Sequence, residues 1–252
     1  MIDLSGQHIF IAGGSRGIGR ATAQMAAQAG AAVSVNYVRD GSAAESVVAE
    51  IKDRGGKAAA FQADIAVDAE AERAVDAAVE ALGPLTGLVV SAGIFEPSPI
   101  GEMTVDFWER TMSINVRGTF LAVKAAAKHL RTAGNGGSIV IYTSTAGQRG
   151  SSVYSAYATS KGAQIMFMRS MAKELAPDRI RVNCVAPGWT ITDMSREPMA
   201  QEGMDKVLAG MPLGRVGEPE DPAGAAIFLL SPLASFITGS TITVDGGSDM
   251  RG

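Results

Sequence analysis

Cysteine occurs once in these 252 residues and histidine only twice. A lone thiol excludes an internal disulfide and a cysteine-based zinc site. That residue, Cys184, lies in the apolar stretch 180–186 and reads as a buried strand position, not a reactive thiol. Histidine chemistry is equally constrained: His8 falls in the first strand-like run, and His129 sits between Lys128 and Arg131 on a solvated helix face. Basic charge is scarce too, with 22 Lys and Arg against 26 Asp and Glu, a net charge of −4. Nucleic acid is a poor partner for such a surface, because phosphate binding wants a basic one. No apolar run reaches 18 residues, and no basic segment followed by a cleavable apolar stretch opens the chain. We therefore expect a soluble cytoplasmic protein with no membrane partner.

Apolar residues make up 46% of the chain and charged ones 19%, a globular balance, and the length suits one α/β domain over 1–252. Strand-like runs are read at 8–12, 32–38, 57–62, 86–91, 137–143, 180–186 and 241–244. Helix-like runs lie between them at 17–29, 41–54, 68–82, 104–132, 153–177 and 219–230. Runs such as Leu88-Val89-Val90 and Ile139-Val140-Ile141 are apolar without alternation, as strands covered on both faces are. The rhythm implies a doubly wound parallel sheet of seven strands with helices on both faces, and ligands at the strand carboxyl ends. One interval breaks it. Residues 189–217 carry Pro198, Pro212 and four glycines with Met194, Met199, Met204 and Met211. Here we expect an irregular lid, its flexible thioethers adapting to a ligand.

Glycines are plentiful where the first strand meets the first helix, in Ala12-Gly13-Gly14-Ser15-Arg16-Gly17-Ile18-Gly19. Glycines at such a turn let the backbone approach a phosphate, which the free N–H groups of the helix start attract. The spacing G-x-x-x-G-x-G departs from the general dinucleotide fingerprint, and the P-loop pattern fails because no Gly-Lys-Ser/Thr follows. Residues 13–17 also satisfy G-x-S-x-G, the nucleophile elbow of hydrolases. That chemistry needs a histidine base late in the chain, and neither histidine fits. A nucleotide turn is the better reading.

Tyr157 and Lys161 stand at i and i+4, on one face of a helix. Ser144 lies thirteen residues before Tyr157, just past the strand ending near Tyr142. A phenol titrates near 10 and must fall by about three pH units to trade protons at neutrality, about 4 kcal/mol. An ammonium about 4 Å away, at an effective dielectric near 20, supplies about that much. No histidine or metal is then required.

With these motifs in this order, the chain resembles the short-chain dehydrogenase/reductases over essentially its whole length. The resemblance implies a single-domain Rossmann fold and hydride transfer between a nicotinamide and a carbonyl carbon. It places the glycine turn at Gly13, Gly17 and Gly19, flanked by Ser15, Arg16 and Ile18, and the adenine-contacting acid at Asp64, beside Ile65. The family's Asn-Ala-Gly segment falls on Ser91-Ala92-Gly93, and its Pro-Gly-x-x-x-Thr segment runs from Pro187 and Gly188 through Trp189 and Thr190 to Thr192. By the same resemblance Tyr157 is the general acid in reduction and base in oxidation, and Lys161 lowers its pKa and holds the nicotinamide ribose. Ser144 bonds the carbonyl oxygen, and Asn115 supports a water relay to Lys161. Two positions depart from the pattern, Ala12 for threonine and Ser91 for asparagine, which puts the rigidity of the turn in question.

NAD-preferring members carry an acid at the end of the second strand. Here that position is Tyr37, beside Asn36 and Arg39. No carboxylate repels a 2′-phosphate there, and Arg16 and Arg39 can pair with one, so NADP(H) is favoured, while Asp40 keeps NAD(H) open. Trp189, Met194, Met199, Ile94, Phe95 and Tyr154 are candidates for a partly apolar pocket, with Gln148 and Arg149 for a polar group. The expected substrate is a small carbonyl or alcohol, closest to a 3-oxoacyl thioester; the alternative is a sugar or cyclic alcohol oxidised with NAD(H). Lys128, Arg131 and Lys173 are candidates to meet a carrier protein. A non-catalytic NADP-binding regulator on the same scaffold is the reading of another class. Apolar residues on more than one side of 104–132 and 153–177 suggest partner helices, and the resemblance points to a homotetramer.

Overall fold

The computed structural model describes residues 2–249; residues 1 and 250–252 of the expected 1–252 unit lie outside the described residues. Seven parallel strands form one sheet: β1 (His8–Ala12), β2 (Ala32–Tyr37), β3 (Lys57–Gln62), β4 (Gly87–Val90), β5 (Gly137–Tyr142), β6 (Ile180–Pro187) and β7 (Thr241–Val244). Their order is β3-β2-β1-β4-β5-β6-β7. The chain winds outward from β1 to β3, then returns to β4 and winds the other way. A crevice follows at the carboxyl ends of β1 and β4, where Ala12 pairs with Val90.

Alternate strand residues feed two cores. Phe10, Leu88, Val90, Ile139 and Ile141 face one side, with α3 (Asp68–Leu82), α5 (Gly118–Ala133) and α7 (Ser155–Glu174). Ile9, Ile11, Val89 and Val140 face the other, with α1 (Gly17–Gln28), α2 (Gly41–Asp53) and α10 (Glu220–Leu230). Both faces being covered explains the unbroken apolar strands. Cys184 is buried in β6. His8 is buried as well: Nδ1 meets Gly83 O and Nε2 meets Ser34 Oγ, each at 2.8 Å. His129 lies on α5, where Nε2 meets Asp76 at 2.6 Å, in line with Lys124–Asp68 and Lys128–Glu72. Neither histidine is near Ser15, which completes the case against a hydrolase elbow.

Two expectations change. The run 104–132 is not one helix: α4 (Val105–Met112) passes through a π-turn, Ser113–Arg117, into α5. The widened turn directs Asn115 inward, fully buried. Residues 189–217 are not irregular either, but hold α8 (Asp193–Glu202) and α9 (Met204–Ala209). A capping box starts α8, with Thr192 and Ser195 satisfying each other's backbone N–H groups, and Gly203 at φ +91° separates the two helices. Met199, Val207, Met211 and Val216 form a small core of their own under them. A last short helix, α6 (Ala146–Arg149), follows β5. Among the described residues no helix is long and apolar enough to cross a membrane.

Candidate active site

The glycine turn closes on itself at the end of β1. Gly13 and Gly17 hold φ of +77° and +54°, which side chains resist. A Cβ at Gly13 would lie 2.7 Å from Ala92 N, and one at Gly19 would lie 2.1 Å from Gly13 O. Behind the turn, α1 begins with no side chain capping its N–H groups and no acid in its first turn. That is an open cradle for an anion, and it fits a dinucleotide pyrophosphate. Arg16 immediately precedes α1 and is exposed, with Ser15 half-buried and Ile18 lining the cleft.

The missing threonine and asparagine are compensated. Ser91 N and Ala92 N both donate to Ala12 O at 2.9 Å, tying β4 to the turn. Gly13 N donates to Asn36 Oδ1 at 3.3 Å, and Gly14 N to Asn36 O at 2.9 Å. The Asn36 amide in turn donates to Phe61 O and Ala63 O. Asn36, expected at the cofactor, is thus a buried brace for the turn. Tyr37 packs its ring near Gly41. Arg39 is exposed, and Arg16 is close enough to Asp40 that its charge helps hold that carboxyl below the usual range, after the hydrogen bonds from Ala43 and Ser42. Asp64 Oδ1 accepts from Ala66 N at 2.9 Å, while Ile65 is buried against Gly118.

Ser144 follows β5, and Tyr157 and Lys161 come from the first two turns of α7. Gly147 sets their spacing: a Cβ there would lie 2.7 Å from Lys161 Cβ, so only glycine lets α6 sit this close to α7. The Tyr157 phenol shares a hydrogen bond with Ser144, yet burial pushes it up to about 12. Lys161, 5% exposed, donates to Tyr142 O at 2.8 Å, and its Nζ lies 5.7 Å from the centroid of the Tyr157 ring. Burial pulls its ammonium down to about 8. Both shifts are set by desolvation and oppose the acidified phenol that the spacing suggested. Asn115 Oδ1 accepts from Ile94 N at 2.8 Å, and its amide donates to Ile94 O and Ser160 Oγ, each at 3.0 Å. Gly93 leaves room for this group and for Lys161.

Phe95 organises an aromatic wall. It stacks on Tyr154 at 4.2 Å and meets Tyr157 and Trp189 edge-on at 4.7 and 6.1 Å. The cleft encloses about 230 Å³, bounded by the three central side chains, Phe95 and Ile94, Pro187 to Thr190, Thr192 and Met194. A Cβ at Gly188 would lie 2.6 Å from Asp245 Cβ, so the segment after β6 is pressed against the chain leaving β7. The Thr192 methyl approaches the turn, 3.3 Å from a Cβ placed on Gly17, which brings the start of α8 over the glycine cradle. Arg149 lines the cleft, but Gln148 bonds Thr243 instead, and Met199 is buried in the core beneath α8. Glu202 and Ser248 also line it and were not anticipated. Glu202 ends the helix that the last motif begins and Ser248 follows β7, and neither position carries a local pattern that marks it. Among the described residues no cluster of potential ligands could hold a metal ion.

A family model described as enoyl-(acyl carrier protein) reductase matches residues 12–249. An L-rhamnose 1-dehydrogenase (NAD(P)(+)) of Sphingomonas is 39% identical over 97% of this chain and 96% of its own length. A 3-oxoacyl-[acyl-carrier-protein] reductase of Synechocystis is 38% identical over 99% of this chain and 100% of its own. The solved structure of a gluconate 5-dehydrogenase from Burkholderia cenocepacia, in complex with NADP and tartrate, superposes with a TM-score of 0.92 at 32% identity, covering 98% of this chain and 96% of that one.

Proposed function

The chain belongs to the short-chain dehydrogenase/reductase family, and we propose that it is an NADP(H)-dependent oxidoreductase interconverting a ketone and a secondary alcohol. The observation that carries this reading is the convergence of Ser144, Tyr157 and Lys161 on one cleft that Ile18, between the last two glycines of the turn, also borders. Gly13 to Gly19 and the start of α1 would hold the pyrophosphate, Asp64 and Ile65 the adenine side, and Ser91 to Gly93, Lys161 and Pro187 to Thr192 the nicotinamide side. When bound, the nicotinamide supplies or accepts the hydride. Tyr157 gives its proton to the carbonyl oxygen in reduction and takes it back in oxidation. Ser144, already bonded to the phenol, steadies the same oxygen. Lys161 holds a positive charge beside them, and α8 and α9 act as the cover that keeps water out.

The 2′-phosphate preference rests on Tyr37 standing where a repelling carboxylate would, with Arg16 and Arg39 exposed nearby. The aromatic wall favours a ketone with an apolar arm, as in a 3-oxoacyl thioester. A sugar substrate is the second reading, favoured by the rhamnose dehydrogenase relative and by Arg149 and Glu202 at the cleft. Lys128 and Arg131 are already paired with Glu72 and Asp178, which weakens their case as carrier-protein contacts. Exposed Phe120 and Met166, on α5 and α7, support assembly through these helices into a homotetramer. The test is nucleotide absorbance with a panel of 3-oxoacyl and enoyl thioesters, simple ketones and sugars. Thioester or ketone turnover with higher kcat/KM for NADPH than NADH is expected. Clear NADH preference, or turnover of sugars alone, would replace this reading with the second.

A further inference from the structure

A polar pair sits in the apolar core between the sheet and α1. Tyr142, the last residue of β5, shares that core with Ile11, Ala23, Val140 and Ala226, and Thr22 of α1 is fully buried against it. Thr22 Oγ1 donates to Ile18 O at 2.7 Å, one turn back along α1. With that hydrogen spent, the Tyr142 hydroxyl donates to Thr22 Oγ1 at 2.8 Å, and Pro222 O on α10 lies 3.3 Å away as a second acceptor. The backbone carbonyl of the same tyrosine accepts from the Lys161 ammonium at 2.8 Å. One residue thus joins the helix whose first turn forms the glycine cradle to the lysine, and Ile18 and Lys161 both border the cleft. Phenylalanine would fill the same space with no polar atom to satisfy, so packing alone does not call for the hydroxyl. A satisfied polar pair inside an apolar core fixes the relative placement of the elements that carry it.

We propose that Tyr142 is a positioning residue: tied to Thr22 by its hydroxyl and to Lys161 by its carbonyl, it sets the spacing between the glycine cradle and the lysine, so that one dinucleotide engages both. This rests on the nucleotide-binding reading given above. A ligand with two linked ends gains affinity over its halves only as far as the two subsites stand at its own span. Loosening the spacing leaves the contacts of each half intact and removes part of that gain. The loss is bounded by what one buried hydrogen bond contributes, about 3–10-fold in Kd.

Titration calorimetry on the purified protein tests this without turnover. The probes are NADPH and 2′-phospho-ADP, which has the pyrophosphate but no nicotinamide ribose; NADH and ADP replace them if that pair binds tighter. Tyr142→Phe should weaken the dinucleotide about 3–10-fold and leave the fragment within about twofold. Thr22→Val cuts the same link from the helix side and should do likewise, so that the double variant loses no more than the weaker-binding single one. If one variant does not fold, the other decides alone. Equal weakening of fragment and dinucleotide would reveal a general disturbance of α1, and losses that add in the double variant would reveal two separate effects. Either result overturns the proposal, as does a dinucleotide Kd that does not move. Wild-type protein that binds neither NADPH nor NADH would instead strike the nucleotide-binding reading itself, and the proposal with it.

Discussion

Replacing Lys161 by methionine should make the protein more stable while disabling it. The ammonium falls from 10.5 to about 8 because burial strips its water. At about 1.4 kcal/mol per pH unit, a drop of that size is about 3 kcal/mol of destabilisation below pH 8. Methionine fills similar volume without charge, but leaves the Tyr142 carbonyl without its donor, a loss of about 1 kcal/mol. The net gain is about 2 kcal/mol, or about 4–8 °C in Tm for a chain of this size. The sign follows from proton counting. Between pH 8 and 10.5 the unfolded chain keeps the lysine proton and the folded one has lost it, so wild-type stability rises with pH through this window. The advantage of Lys161→Met is therefore full at pH 7 and nearly gone by pH 10. Cys184 and Tyr157, both pushed up to about 12, work oppositely above pH 9 and 10; both proteins keep them, and although the thiol feels the Lys161 charge, losing that charge only raises it further, so it stays protonated at pH 10 in either protein. Thermal unfolding of the two proteins at pH 7 and pH 10 is the assay. A lower Tm for the variant at pH 7, or an increment that ignores pH, refutes the argument.

Tyr157→Phe keeps the ring against Phe95 and loses only the hydroxyl, so kcat should fall about 10²–10⁴-fold with cofactor affinity retained; steady-state kinetics and a binding titration check both, and undiminished kcat removes the tyrosine from the chemistry. Gly19→Ala would force a Cβ to within 2.1 Å of Gly13 O, so the turn must open. Overpacking of this kind costs about 1–3 kcal/mol, expected as weaker NADPH binding by fluorescence titration; an unchanged Kd contradicts the cradle. Val153, a β-branched residue at φ +59° and 44% exposed, packs little and is strained by about 1–3 kcal/mol. After the extra chain entropy of glycine, Val153→Gly should raise stability by about 1 kcal/mol, read as a higher denaturant midpoint; a lower midpoint shows that the conformation is not strained.

The seven strands were legible because burial on both faces leaves an unmistakable mark: Leu88-Val89-Val90 and Ile139-Val140-Ile141 have no polar position to confuse the period. The glycine turn was legible for a different reason, since Gly13, Gly17 and Gly19 are each demanded by a close approach or a positive φ. Periodicity failed where tertiary contacts override it. A π-turn adds one residue to a helix that otherwise keeps its pattern, so Ser113–Arg117 is invisible from 104–132 alone. The glycines and prolines of 189–217 read as loop, yet Gly203 only separates two helices and Met199 is held in a core that no local pattern reveals. The bracing of the turn by Asn36 was hidden for the same reason: its position beside the turn was plain, but the acceptors of its amide lie on and just past β3.

Sequence spacing carries distance but not dielectric. The i, i+4 relation of Tyr157 and Lys161 gave a separation from which an acidified phenol followed, but burial acts on both groups at once, raising the phenol and lowering the ammonium. The consequence is directional. At about 12 the phenol is protonated at pH 7 and ready to act as an acid towards an alkoxide, which is far more basic. To act as a base it must first lose that proton, at a cost of about 7 kcal/mol at neutrality. The relief given by the hydrogen bond from Ser144 is already contained in that cost. If Tyr157 is the proton-exchanging group proposed above, initial rates of alcohol oxidation should gain relative to carbonyl reduction as pH rises, and a ratio that ignores pH would contradict that role.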